Sequence, residues 1–234
     1  MNITENITRL KASLPAGVTL VAVSKFHPAE ALQEAYDAGQ RVFGESRAQE
    51  LTAKQKVLPS DIEWHFIGPL QSNKVKDIAP FIHTIHSIDS LKLLQEVNKQ
   101  AAKHGRIVRV LLEIHVAQEE AKHGFSPDEC RELLHSLSPE ALPNLRICGL
   151  MGMATNTDNT SQIQDEFHKI HKLFTELKSS VFKGDEVNFD FIETVAVFVE
   201  EQFRQACAFD VCHRKLPGDE RTDFFDDTSF SFRE

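Results

Sequence analysis

Val18-Thr19-Leu20-Val21-Ala22-Val23-Ser24-Lys25-Phe26-His27-Pro28 is the stretch on which the fold class turns. Its first seven residues, rich in apolar and β-branched types, read as a buried strand, and Pro28 opens a helix pattern over 29–38. The turn between them, Lys25-Phe26-His27-Pro28, contains no glycine. A dinucleotide phosphate therefore finds no close backbone approach there, and a Rossmann reading loses its main support. The lysine has a chemistry of its own. An ammonium partly desolvated at a strand end gives up its proton more readily, and the neutral amine can attack an aldehyde to form a Schiff base. Strands also end in lysine simply because the chain is leaving the core, and these residues alone do not separate the two readings.

Working outward, short apolar runs alternate with longer helical patterns. Strands are expected at 18–24, 41–44, 62–68, 82–88, 107–116 and 145–154. Helices are expected at 29–38, 47–58, 72–78, 90–104, 127–137 and 161–179, with Gly39 and Gly105 as stops and Ser90 and Ser126-Pro127 as starts. Such alternation is the pattern of a parallel sheet with helical crossovers. Six units in about 180 residues match a TIM-type (β/α)8 barrel, whose eight units take about 250, better than an open doubly wound sheet. In a barrel the strand C-termini face one mouth, which would gather Lys25, Glu45 and Ser46, the 68–71 segment, Ile88 and Asp89, His115, and Met151 with the rest of 151–155.

The whole chain of 234 residues, 41% hydrophobic, is long enough for one large domain. A net charge of -9 argues against a general nucleic-acid binder, which needs clustered Lys and Arg. No run approaches the length of a membrane span and the start, MNITENITRLKASL, is polar and amphipathic, so a cytoplasmic protein is expected. Cys130, Cys148, Cys207 and Cys212 make no disulfide framework. Cys207, Cys212 and His213 fall short of a metal-ligand set, and no metal is expected.

Five ordered motifs make the reading specific. They are Ala22-Val23-Ser24-Lys25, the run from Ala38 through Gly44-Glu45, Trp64-His65-Phe66-Ile67-Gly68-Pro69-Leu70-Gln71-Ser72-Asn73-Lys74, His86-Ser87-Ile88-Asp89-Ser90, and Gly149-Leu150-Met151-Gly152-Met153-Ala154. In order and spacing they resemble the pyridoxal phosphate homeostasis family over about residues 1–182. The resemblance implies a barrel of the alanine racemase N-terminal type, with pyridoxal 5'-phosphate (PLP) held as a Schiff base on Lys25. It further implies a role in PLP and amino-acid homeostasis without catalytic turnover, so no catalytic residue is assigned. Ser46, His65 and Met151 are the further cofactor-side residues it suggests. Ser46 stands where the family usually has asparagine, a shorter side chain toward the cofactor. PLP, and amino acids as further small molecules, are the expected partners of a monomer. A racemase or lyase of small amino acids is the enzymatic alternative, but it needs a second acid/base opposite the cofactor, and the one tyrosine, Tyr36, lies within the first helix pattern.

The resemblance stops after about Gly184. The family's glycine-rich endings on strands seven and eight, which hold the PLP phosphate, have no counterpart. Gly218 is the only later glycine, and nine of the 17 phenylalanines follow Val187. The organisation expected is therefore a PLP-binding barrel over 1–186 and an atypical segment over 187–234. That segment fits an alternative ending with a seventh strand at 189–199, a separate interacting or disordered segment, or out-of-frame sequence; the last best explains a change in both motif and composition. Without the phosphate loops, a binding protein that has lost its cofactor is the third functional alternative.

Overall fold

The computed structural model describes residues 3–14, 17–117, 123–138, 141–157, 159–184, 189–195 and 209–214. Helix α1 (Ile3–Ser13) precedes six strand–helix units. These are β1 (Val18–Val23) with α2 (Ala29–Asp37), β2 (Val42–Glu45) with α3 (Ala48–Gln55), and β3 (Glu63–Phe66), followed by a 3-10 turn at Ser72–Lys74 and α4 (Val75–Ile78). Then come β4 (Thr84–Ile88) with α5 (Leu91–Lys103), β5 (Val108–Glu113) with α6 (Pro127–Ser136), and β6 (Leu145–Met153) with α7 (Thr160–Ser180). Each of the six expected strands and six expected helices is found within a few residues of its predicted span. The helix starts are as expected: Ser90 accepts from the Leu93 amide, and Ser126 forms a reciprocal capping box with Glu129.

β7 (Phe191–Val195) extends the parallel order, pairing Gly149 with Phe191 and Met153 with Val195. It falls within the 189–199 strand foreseen as one reading of the ending; residues 196–199 lie outside the described part. The ring then closes through β8 (Phe209–Arg214), which runs antiparallel to both β7 and β1. The eighth unit of a regular (β/α)8 repeat is thus replaced by a reversed strand. Side chains of opposite parity on each strand serve two layers. Ala22, Phe43, Trp64, Ile85, Val110 and Leu150 pack outward against Leu32, Leu51, Val97, Leu134 and Ile170 of the helices. Leu111, Cys148 and Met151 form a separate cluster on the inner side. The outward layer is tight at Gly152, where a Cβ would collide with Ile170 Cδ1 on α7.

Candidate functional site

β1 stops at Val23, and the next residue, Ser24, is pinned from beneath. The Ser24 amide donates to the Gly44 carbonyl at 2.8 Å, its hydroxyl donates to Glu45 Oε1 at 2.8 Å, and its carbonyl accepts from the Lys54 ammonium at 2.7 Å. Lys54, on α3, also pairs with Glu45, which is fully buried, while Glu45 Oε2 is buried without a hydrogen-bond partner. Lys25 comes next. It is exposed, so the desolvation expected of a strand-end amine is not what this structure shows. The reason is local: the strand ends two residues before the lysine, and Phe26 takes a left-handed φ of 67° that turns the chain outward. That conformation is costly for a bulky residue and is held by its surroundings. The Phe26 amide donates to Glu50 Oε2 at 3.1 Å, and the Arg47 guanidinium lies 4.9 Å from the centre of its ring.

Ser46 follows β2 at the same mouth and is half-buried. It is in close contact with the next strand end: a Cβ on Gly68 would lie 2.6 Å from the Ser46 carbonyl oxygen and 2.8 Å from its Cα. Only glycine lets these two loops approach so closely. Ser87, near the end of β4, donates its hydroxyl to the Gly68 carbonyl and joins a third strand to the same cluster. Met151 is buried on the inner side of β6, whereas Met153, two residues on and on the same face, is 45% exposed at the mouth, so core packing describes only the first.

His65 lies deeper. The register pairs Val23 with Gly44 and Gly44 with His65, which sets it level with Val23 and two residues below Lys25. Both of its ring nitrogens face other imidazoles, Nδ1 at 2.8 Å from His86 Nε2 and Nε2 at 3.3 Å from His83 Nδ1. Burial, and then the neighbouring His86, His83 and Arg109, hold its pKa well below the ordinary histidine value, so the ring is neutral at pH 7. The structure therefore gathers Lys25 and Ser46 at adjoining strand ends, with His65 beneath and Met151 elsewhere on the ring's inner side. Sequence reasoning set Glu45 at the mouth but missed Glu50 and Lys54, whose signal was an i,i+4 pair in the helix after β2.

Tyr36 is engaged elsewhere. Its hydroxyl donates to Asp61 at 2.7 Å, just before β3, and Arg41 lies 3.8 Å from its ring centre. That hydrogen bond, with burial, raises its pKa. It sits at the strand N-terminal side, opposite Lys25, and offers no second acid/base there. On the loop after β6, Thr155 donates both its amide and its hydroxyl to the Glu166 carboxylate of α7, each at 2.7 Å. Burial would raise the Glu166 pKa, but these donors outweigh it and leave it lowered. Cys130 and Cys148 are free thiols pushed up by burial to about 12 and about 11, which makes them poor nucleophiles.

Comparisons with known proteins agree with this architecture. Residues 1–189 match the family model of the alanine racemase N-terminal domain. The pyridoxal phosphate homeostasis protein of Pasteurella multocida (strain Pm70) is 37% identical over 171 residues, covering 71% of this chain and 72% of that one. The protein of the same name from Aquifex aeolicus (strain VF5) is 36% identical over 189 residues, with 76% and 82% covered. Among solved structures, PipY of Synechococcus elongatus PCC7942 superposes with a TM-score of 0.72 without PLP and 0.69 with PLP bound. Identities are 37% and 36%, with 78% of this chain covered in both and 85% and 84% of PipY. Alanine racemase from Streptomyces coelicolor A3(2), 17% identical with a TM-score of 0.64 over 83% of this chain and 51% of its own, shares the fold. By motif order, strand order and these matches, the chain belongs to the pyridoxal phosphate homeostasis proteins of the alanine racemase N-terminal domain family.

Proposed function

We propose that this protein binds PLP covalently through Lys25 and serves PLP and amino-acid homeostasis without catalytic turnover. The observation that carries the reading is Lys25 at the C-terminal end of β1, in a family whose member PipY has been solved with PLP bound. PLP supplies an electrophilic aldehyde and an electron-withdrawing ring. The residues at the mouth fit its aldehyde end. Lys25 offers an accessible amine, and the Ser24–Glu45–Lys54 network beneath fixes the backbone that presents it. The buried Glu45 Oε2 is one further acceptor below that turn. Ser46 borders the adjoining loop, His65 supplies a neutral floor, and Met151 supplies apolar surface for the ring face.

In this reading residues 1–186 are the binding part of a TIM-type barrel, and 187–234 are an ending that lacks the family's phosphate-holding loops. A cytoplasmic monomer acting on small molecules, not nucleic acid, is consistent with the acidic charge; among the described residues no helix is long and apolar enough to cross a membrane. The engagement of Tyr36 with Asp61 weighs against a racemase or lyase. A second reading, a protein that has lost its cofactor, is favoured by one feature, the absence of glycine between Gly184 and Gly218. Titration of the purified chain with PLP separates them. Visible absorbance of lysine-bound PLP that disappears in Lys25→Ala supports the proposal, and a protein that stays colourless at saturating PLP overturns it.

A further inference from the structure

We infer that a divalent transition-metal site of the zinc class is formed by Glu63 and His83 at the strand N-terminal end together with His65 on β3. Ligand atoms of these three side chains lie within 4.8 Å of one another. Glu63 opens β3 and shares a strand face with His65, and His83 immediately precedes β4, so Glu63 and His83 stand at the strand N-terminal end while His65, level with Val23, lies further along β3. The separation of His65 Nε2 and His83 Nδ1, 3.3 Å, is the edge of a tetrahedron whose metal–nitrogen bonds are about 2.0–2.1 Å. Glu63 Oε2 is 3.7 Å from the other ring nitrogen of His83, Nε2, and Thr84 Oγ1 is 2.9 Å from His83 Nδ1, so bringing all three ligands onto one metal takes rotation of the half-exposed His83 ring or of the Glu63 side chain.

The inner ligand is already oriented. With the proton on His65 Nδ1, donation to His86 Nε2 at 2.8 Å leaves the Nε2 lone pair on the side of His83, the arrangement in which an outer-shell partner fixes a metal-bound histidine. The neighbouring Arg109, and Arg106 beside His83, oppose a cation, and Glu63 offsets part of their charge. Two imidazoles and one carboxylate leave the fourth position to water and select Zn2+, Co2+ or Ni2+ over Mg2+ and Ca2+. The sequence hides the site because Glu63-x-His65 is a single strand pair and His83 lies eighteen residues from His65.

The test is titration of the chelator-treated full-length chain with Co2+, followed by visible absorbance, and with Zn2+, followed by calorimetry. One tetrahedral Co2+ spectrum per chain is expected, displaced by Zn2+. His83→Ala and Glu63→Gln, both at partly exposed positions, should each weaken binding by about tenfold or more, with unchanged circular dichroism. Lys25→Ala should bind the metal normally, which keeps this result separate from PLP uptake. Failure to bind, binding unaffected by His83→Ala, or binding abolished instead by Cys207→Ser with Cys212→Ser overturns the inference.

Discussion

Gly68→Ala tests whether the mouth of the barrel depends on the contact between its second and third loops. The new Cβ would sit 2.6–2.8 Å from the carbonyl oxygen, Cβ and Cα of Ser46, where ordinary contact begins at 3.4 Å. Two of those three atoms are backbone, so no rotamer relieves the clash, and the Ser46 loop must withdraw by 0.6–0.8 Å, the difference between those distances. Overpacking of this kind costs about 1–3 kcal/mol. Because Ser46 adjoins the turn bearing Lys25, PLP uptake should fall as well, by about tenfold or more for a misplacement approaching 1 Å. Gly105→Ala is the control. Its φ of 61° gives a left-handed penalty of about 1 kcal/mol, but its Cβ would meet open space, and it precedes β5 at the opposite end. Urea unfolding and PLP titration of both variants provide the comparison. Equal destabilisation of the two, with PLP uptake unchanged in Gly68→Ala, would refute the reasoning.

Lys54→Ala removes the cation from a buried pair and leaves the Glu45 carboxylate uncompensated, so a loss of about 3–5 kcal/mol is expected in urea unfolding; a change near zero would show that the pair contributes no such stability. The Glu166 pKa is lowered in the fold, so its contribution is present in full above the unfolded-state value of about 4.5 and is lost as pH falls through the lower folded value. The stability difference between the natural protein and Glu166→Gln should accordingly be flat from pH 7 to 5.5 and shrink below about 4.5; a difference that grows on acidification contradicts the assignment.

The six βα units were legible because each strand is a short apolar run and each helix repeats its apolar face, signals that depend on neighbours in sequence. Ser90 and Ser126 were legible as starts for the same reason. Contacts set by tertiary placement were hidden. Glu45 meets Lys54 and Ser24 only once β1, β2 and α3 are assembled, and His65 meets His83 and His86 only through the β3–β4 register. The exposure of Lys25 depends on the left-handed turn at Phe26, a conformation that the identity of a phenylalanine does not announce. β8 was hidden altogether, because Asp210, His213 and Arg214 break any apolar run across it, and a strand's sequence does not give its direction.

That direction bears on how tightly PLP can be held. In a parallel barrel the loops after the seventh and eighth strands open on the same mouth and together form the usual phosphate site. Here β8 begins beside the end of β1, with Phe209 paired to Ala22, and ends beside the start of β7, with Arg214 paired to Phe191. β8 therefore ends at the mouth away from Lys25. Between β7 and β8 the sequence has no glycine and sets Glu200 and Glu201 against Arg204 alone, a poor composition for a dianion. Losing two charge-assisted hydrogen bonds, each worth about 1.5–3 kcal/mol, amounts to about 3–6 kcal/mol, or roughly 10²–10⁴ in affinity. Lys25 would then take up pyridoxal nearly as well as PLP. Parallel titrations with the two aldehydes should give dissociation constants within about tenfold of each other, and a preference for PLP of more than about a hundredfold would mean that the phosphate is gripped by residues elsewhere in the chain.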